Sequence, residues 1–238
     1  MWKQGENMSD VQFYNESNIK EIPWERYMEG ESIRHYFEAL RENTANFIRN
    51  VDTTVRFIGI DNVLIPYTVN EEDYDNSYVC SPYNHYITYA KEEVKMLKQP
   101  RLEKVLEKML DGIGALTKKI NINKVVYLNN WLISTNLFVS LQSEQIQALK
   151  EALLKKYPDY VIGFRSVNPI LYPEMQEALV LQGFHLLPSR YVYISSTDVF
   201  ENASKKARNT LRRDEKLLQQ NQNTCVLEAG EAMTEPTD

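Results

Sequence analysis

The chain has 238 residues, of which 43% are hydrophobic and 25% charged, the balance of a folded globular protein with one large domain or one domain and a fragment. A formal net charge of −6 argues against a general nucleic-acid binder, whose domains are basic overall. Cys80 and Cys225 are too few for a disulfide framework or a zinc site, which points to a reducing compartment. No apolar run approaches the ~20 residues that span a bilayer. The first residues lack an apolar signal-peptide core, so the expected location is cytoplasmic.

In chain order, Ser32 to Phe47 places Ile33, Tyr36, Phe37, Leu40 and Phe47 at helical spacing. Residues 55–60 and 63–69 predict two strands joined by a tight turn at Asp61-Asn62. Asn70 to Asn76 reads as an acidic loop, and Ser77 to Cys80 as a strand ended by Ser81-Pro82, with Cys80 a small buried residue. A helix follows from about His85 into Lys98, broken by Pro100. The next helix is marked by one stripe, formed by Leu102, Val105, Leu106, Met109, Leu110, Ile113 and Leu116, with Lys and Glu on the opposite side.

Lys124 to Leu132 predicts a strand, and Ser143 to Tyr157 an amphipathic helix with Ser143 as N-cap and Ile146, Leu149 and Leu153 facing inward. Tyr160 to Asn168 reads as a buried strand. Pro173 to Phe184 reads as a helix ending at Gly183, Leu187 to Ile194 as a strand, and Ala203 to Gln220 as a basic helix. Asp198 and Glu201 have capping-box spacing for that last helix, and Ala229 to Asp238 reads as loose. This alternation predicts an α/β fold, a mixed sheet flanked by helices.

Gln176-Glu-Ala-Leu-Val-Leu-Gln-Gly-Phe184, followed by Arg190-Tyr-Val-Tyr-Ile194, resembles the closing half of GNAT-type acetyltransferases. Lys205-Lys-Ala-Arg-Asn-Thr-Leu-Arg-Arg213 resembles the basic helix that opens the second half of double-domain relatives, the FemAB/FemX-type and cellulose-biosynthesis-type transferases. The resemblance covers roughly residues 55–220. It implies a GNAT-like domain over residues 1–198, and over 199–238 the first helix of a second GNAT-like domain whose remainder is missing. It also implies acyl or aminoacyl transfer to an amine or hydroxyl acceptor, small or peptide-like, with acyl-CoA or aminoacyl-tRNA as donor and no metal. One departure stands out. The family's Gly-rich pyrophosphate loop would fall at Ile133-Ser-Thr-Asn-Leu-Phe-Val-Ser-Leu-Gln142, which has no glycine. The competing expectation is a non-catalytic binding or scaffold domain of the same architecture.

Three groups of residues carry candidate chemistry. Lys205, Arg208, Arg212 and Lys216 share one helical face, with Arg213 beside them, and suit phosphates. The bland reading is a solvated face, partly neutralised by Asp214 and Glu215. Arg165, Ser166 and Asn168 end a strand where open sheets bind ligands, and Arg165 suits a carboxylate or a structural pairing with Glu174 or Glu177. Tyr83 and His85 share a loop with Ser81, with His85 a candidate base and Tyr83 equally a packing residue. No nucleophile–base or metal-ligand spacing stands out, so no catalytic residue is assigned.

Overall fold

The computed structural model describes residues 10–42, 44–137, 140–189, 192, 194 and 203–220. A five-stranded sheet runs in the order β1 (Val11–Tyr14), β2 (Arg56–Ile60), β3 (Val63–Asn70), β4 (Val125–Leu128), β5 (Val161–Phe164). The first three pairings are antiparallel and β4 to β5 is parallel, with Val125 opposite Val161 and Tyr127 opposite Gly163. The β2–β3 hairpin turns at Asp61, whose φ of 51° is the left-handed conformation that an Asp tolerates in a two-residue turn. The chain divides at Pro188 and Ser189 into two compact units.

Helices cover both faces of the sheet. α1 (Gly30–Glu42) buries Ile33, Phe37 and Leu40 in a cluster with Phe57, Leu64 and Trp131, and the short α2 (Thr44–Phe47) follows it. On the other face, α5 (Ser143–Lys156) inserts Ile146, Leu149 and Leu153, all fully buried, against Ile58, Ile65, Val126 and Leu128. Each such side chain contributes about 1.5–3 kcal/mol on leaving water, which fixes the helix far more strongly than its intrinsic propensity. α6 (Pro173–Leu181) adds Met175 and Leu179 to the same cluster and stops at Gly183, at φ 79°. Gly59 has a steric task. A Cβ there would meet Tyr27 Oη at 2.2 Å, so only glycine lets Tyr27 lie over β2 and reach Tyr14 Oη at 2.9 Å.

Several expected elements differ. β1, only four residues long, is an addition to the expected strands. Ser77 to Cys80 is a turn, because Ser77 O accepts from both Cys80 N–H and Ser81 N–H, although Cys80 is buried as expected. A single π-helical turn, Asn84–Thr88, leads into α3 (Tyr89–Lys95). Pro100 opens α4 (Pro100–Lys119), where its missing N–H costs nothing. The apolar stripe of α4 faces solvent: Val105, Met109 and Leu116 are all exposed.

β4 is shorter than expected, and β5 is a half-exposed sheet edge among the described residues rather than a buried strand, with Val161 exposed. Gln142, not Ser143, caps α5 through reciprocal bonds with Gln145. Leu187, Pro188, Ser189, Val192 and Ile194 belong to no strand, and the other residues of that expected strand lie outside the described ones. Within the second unit, α7 (Lys205–Gln220) begins two residues later than expected and is capped by Ser204, whose Oγ accepts from Ala207 N–H at 3.2 Å. Asp198, Glu201 and the segment 229–238 lie outside the described residues.

Candidate functional site

The carboxyl ends of the one parallel pair, β4 and β5, hold the densest buried polar chemistry of the described residues. β4 runs straight into Asn129-Asn130-Trp131. Asn129 at φ 53° and Leu132 at φ 62° bend the chain sharply. Asparagine tolerates that region; leucine does not without cost, so the surrounding bonds must hold it.

Asn130 supplies those bonds. It is fully buried and every polar atom of its amide is engaged. Its Nδ2 donates to Thr68 Oγ at 2.8 Å and Val79 O at 2.9 Å. Its Oδ1 accepts from Leu132 N–H at 3.2 Å and from Arg165 Nη1 at 3.2 Å. One amide thus ties β3, the 77–80 turn, the β4–α5 connection and the end of β5. Asn136 Oδ1 accepts from Trp131 N–H, and its Nδ2 donates to Arg165 O at 3.3 Å. Asn129 takes Trp131 Nε1–H at 3.0 Å, and Tyr36 of α1 donates to Trp131 O at 2.9 Å.

Arg165 is the buried cation of this arrangement. Gly163 and Arg165 alternate onto the Tyr127 side of the sheet while Phe164 enters the core on the α5 side. The guanidinium also reaches Ile133 O at 3.5 Å and lies over the Tyr78 ring, 5.8 Å from its centre. The His85 ring is 5.9 Å from the same Tyr78 ring and 4.6 Å from Tyr86, both His85 and Tyr86 being carried by the π-helical turn. Burial raises the phenols of Tyr86 and Tyr127, and Arg165 opposes the rise at each. Burial likewise pushes the Cys80 thiol up to about 12, again with Arg165 pulling the other way. The positive field of Arg165 therefore extends over an aromatic surround, an arrangement able to hold a carboxylate or steady a developing negative charge.

Of the residues predicted from sequence, Arg165 and His85 meet around Tyr78. Ser166, at φ 60°, follows Arg165 directly, with Oγ donating to Ser134 O at 3.2 Å. Glu174 and Glu177 are exposed on α6 while Arg165 is buried among amides and rings. Asn168 serves its own turn, its Oδ1 accepting from Ile170 and Leu171 N–H. Tyr83 packs edge-to-face with Tyr74 and under Lys118, where Gly114 makes room for its hydroxyl. Lys205, Arg208, Arg212, Arg213 and Lys216 are all exposed on α7, with Arg213 Nε 3.5 Å from Asp214. Sequence reasoning missed Tyr78, Tyr86, Tyr127 and Asn130. The Asn-Asn-Trp run at a strand end was the available signal, since asparagines there suit a left-handed bend and a side-chain clamp.

Described residues of the segment 133–142 turn backbone carbonyls toward side chains of the protein, Asn129 Nδ2 donating to Leu137 O at 2.5 Å, Arg165 Nη1 to Ile133 O and Ser166 Oγ to Ser134 O. At the start of α5, Gln145 Oε1 takes the Gln142 N–H, and Gln145 Nε2 donates to Asp61 at 2.7 Å. That carboxylate disfavours an anion at the amino end of α5. A separate cavity of about 260 Å³ lies against β1, lined among others by Asp10, Glu21, Arg26 and Asp61. Its charged walls are exposed and its floor hydroxyls, Tyr14 and Tyr27, bond each other, so it lacks the desolvated charge found at Arg165. No family model, no curated protein and no solved structure matches this chain.

Proposed function

We propose that the larger unit is the acceptor-holding part of a GNAT-like acyl- or aminoacyl-transferring protein, with Arg165 gripping an acceptor carboxylate. The observation that carries this is a buried guanidinium at the carboxyl ends of a parallel strand pair, braced by Asn130 and surrounded by Tyr78, His85, Tyr86 and Tyr127. A mixed sheet with one parallel pair and helices on both faces supports the GNAT-like reading. In the reaction, an acceptor amine or hydroxyl attacks the thioester or ester carbonyl of the donor. The new C–N or C–O bond forms as the donor's C–S or C–O bond breaks, and the thiol or tRNA hydroxyl leaves with the proton the acceptor gives up. Positioning and N–H donors aimed at the oxyanion lower the barrier. The cations of α7, Lys205, Arg208, Arg212, Arg213 and Lys216, are the groups suited to donor phosphates, of acyl-CoA or of aminoacyl-tRNA, in a protein that includes the rest of a second GNAT-like domain.

The second reading, a non-catalytic binding domain, is favoured by the closed, glycine-free approach to α5. Two titrations separate them. Thermal melts against amino acids, short peptides and their C-terminal amides should show stabilisation by free carboxylates only, abolished in Arg165→Gln. Equal stabilisation by the amides, or an unaffected Arg165→Gln, sinks the carboxylate assignment. Calorimetric titration with coenzyme A and acetyl-CoA then decides the rest: saturable, salt-weakened binding supports transfer, and its absence from a folded sample supports the binding domain.

A further inference from the structure

α4 departs from the rule that an amphipathic helix turns its apolar stripe inward. Leu102 is 42% exposed, Val105 64%, Met109 53%, Ile113 41%, Leu116 63% and Ile120 74%. These positions span ~27 Å along the helix axis at 1.5 Å per residue, a ridge rather than a groove. Met96 and Leu97, also exposed, extend it beyond the amino end of the helix. The inner side of α4 is a different one, where Gly114 sits against Tyr83 and Ile87.

The charges are sorted about this ridge. At about 100° per residue, Arg101, Lys108 and Lys119 fall within about 20° of one another along one border of the stripe. All three are exposed, as are Lys95, Lys98 and Lys104. The acids of α4 lie away from the ridge, and two of them are bonded there. Glu103, half-buried, accepts the Gln99 N–H at 2.8 Å, and Asp111, itself exposed on the side away from the ridge, pairs with Lys91 of α3 at 2.5 Å. Glu107 is half-buried on the same side, and the exposed Glu92 and Glu93 belong to α3. In a protein of net charge −6, the outward surface of α4 is apolar and cationic.

We infer that α4 docks on an anionic lipid surface, its apolar ridge in the acyl boundary and its basic border among the headgroup phosphates. Charge complementarity selects this occupant. In a two-fold antiparallel pair of copies each border meets its own symmetry mate, so Arg101, Lys108 and Lys119 would face like charges. A convex ridge with cations beside it suits a plane that accepts the apolar face from one side and supplies phosphates beside it. The helix lies on the surface; among the described residues no helix is long and apolar enough to cross a membrane. α7, taken by itself, repeats the chemistry, with six cations and with Leu211 and Leu217 each 50% exposed. This inference is independent of the role of Arg165.

The test is flotation of the full 238-residue chain with vesicles of equal parts phosphatidylglycerol and phosphatidylcholine, against phosphatidylcholine alone, at low and high salt. Binding to the anionic vesicles should be at least about tenfold tighter than to neutral ones and should weaken with salt. Met109→Glu with Val105→Glu should abolish it while the thermal melt stays that of wild type, both sites being exposed. Gln at Arg101, Lys108 and Lys119 should weaken it on the order of 100-fold. A variant with Gln at Lys205, Arg208, Arg212 and Lys216 should still bind, which separates α4 from α7. The inference is overturned if the α4 variants float like wild type, or if the protein ignores anionic vesicles. Concentration-dependent self-association in place of flotation would assign the ridge to a second copy instead.

Discussion

The Asn129–Asn136 bend and the outer face of α4 are opposites. In the bend, polar side chains leave water and every bond made by Asn130 is satisfied within the protein. On α4, apolar side chains stay in water. The pair teaches where each region's value lies. Burying amides and a guanidinium costs stability unless each group finds a partner, so the bend is a rigid, specified arrangement. Leaving an apolar ridge exposed gains the fold nothing, so its exposed positions tolerate substitution without loss of structure.

The contrast is broken most forcefully at Asn130. Asn130→Leu keeps the branched side chain of the same heavy-atom count, in a bulkier apolar form, but strands Thr68 Oγ, Val79 O, Leu132 N–H and Arg165, and should cost about 4 kcal/mol in urea unfolding. A loss under about 1 kcal/mol would mean that the bend does not depend on this clamp. The second probe is pH. The Cys80 thiol is pushed up to about 12 in the folded protein from an ordinary value near 9. Below pH 9 it is neutral in both states and its contribution is intact. Between about 9 and 12 the unfolded chain ionises while the folded one does not, so stability falls as pH rises through that window. Urea midpoints between pH 8 and pH 11 test this against Cys80→Ala, which should flatten the slope.

Arg165→Met should cost less, about 1–2 kcal/mol, because Asn130 Oδ1 keeps the Leu132 N–H. Its signature is electrostatic: the phenols of Tyr86 and Tyr127 should titrate higher still by ultraviolet absorbance, having lost the cation that opposes their rise. On α4 the expected effects are small or reversed. Gly112 has nothing within 4 Å of an added Cβ, so Gly112→Ala should stabilise by about 0.5–1 kcal/mol. Met109→Gln should leave the melt within about 0.5 kcal/mol of wild type. Destabilisation by either would show that the ridge is covered within the chain.

Local signals in the sequence were enough for much of the framework. Asp61-Asn62 marked the hairpin turn, Ile146, Leu149 and Leu153 marked the buried face of α5, and Gly183 marked the end of α6. Each is decided by neighbours within a few residues, through backbone conformation or helical period. The short β1 was not legible, since four residues of edge strand carry too little pattern. The turn at Ser77 to Cys80 had a strand's residues but a helical turn's bonds.

The site divides in the same way. Arg165 and His85 were legible as residue types at a strand end and in a loop. That they share Tyr78 was not, because residues 78, 85 and 165 come together only through the parallel pairing of β5 with β4 and the clamp of Asn130. For the same reason the periodicity of α4 announced an apolar stripe without saying where it pointed. By itself the sequence determined the helices, the hairpin and the chemical types available, all set by interactions between near neighbours. Only the tertiary structure decided which polar groups are buried together and which apolar face stays bare, because burial is a property of what lies across the sheet and not along the chain.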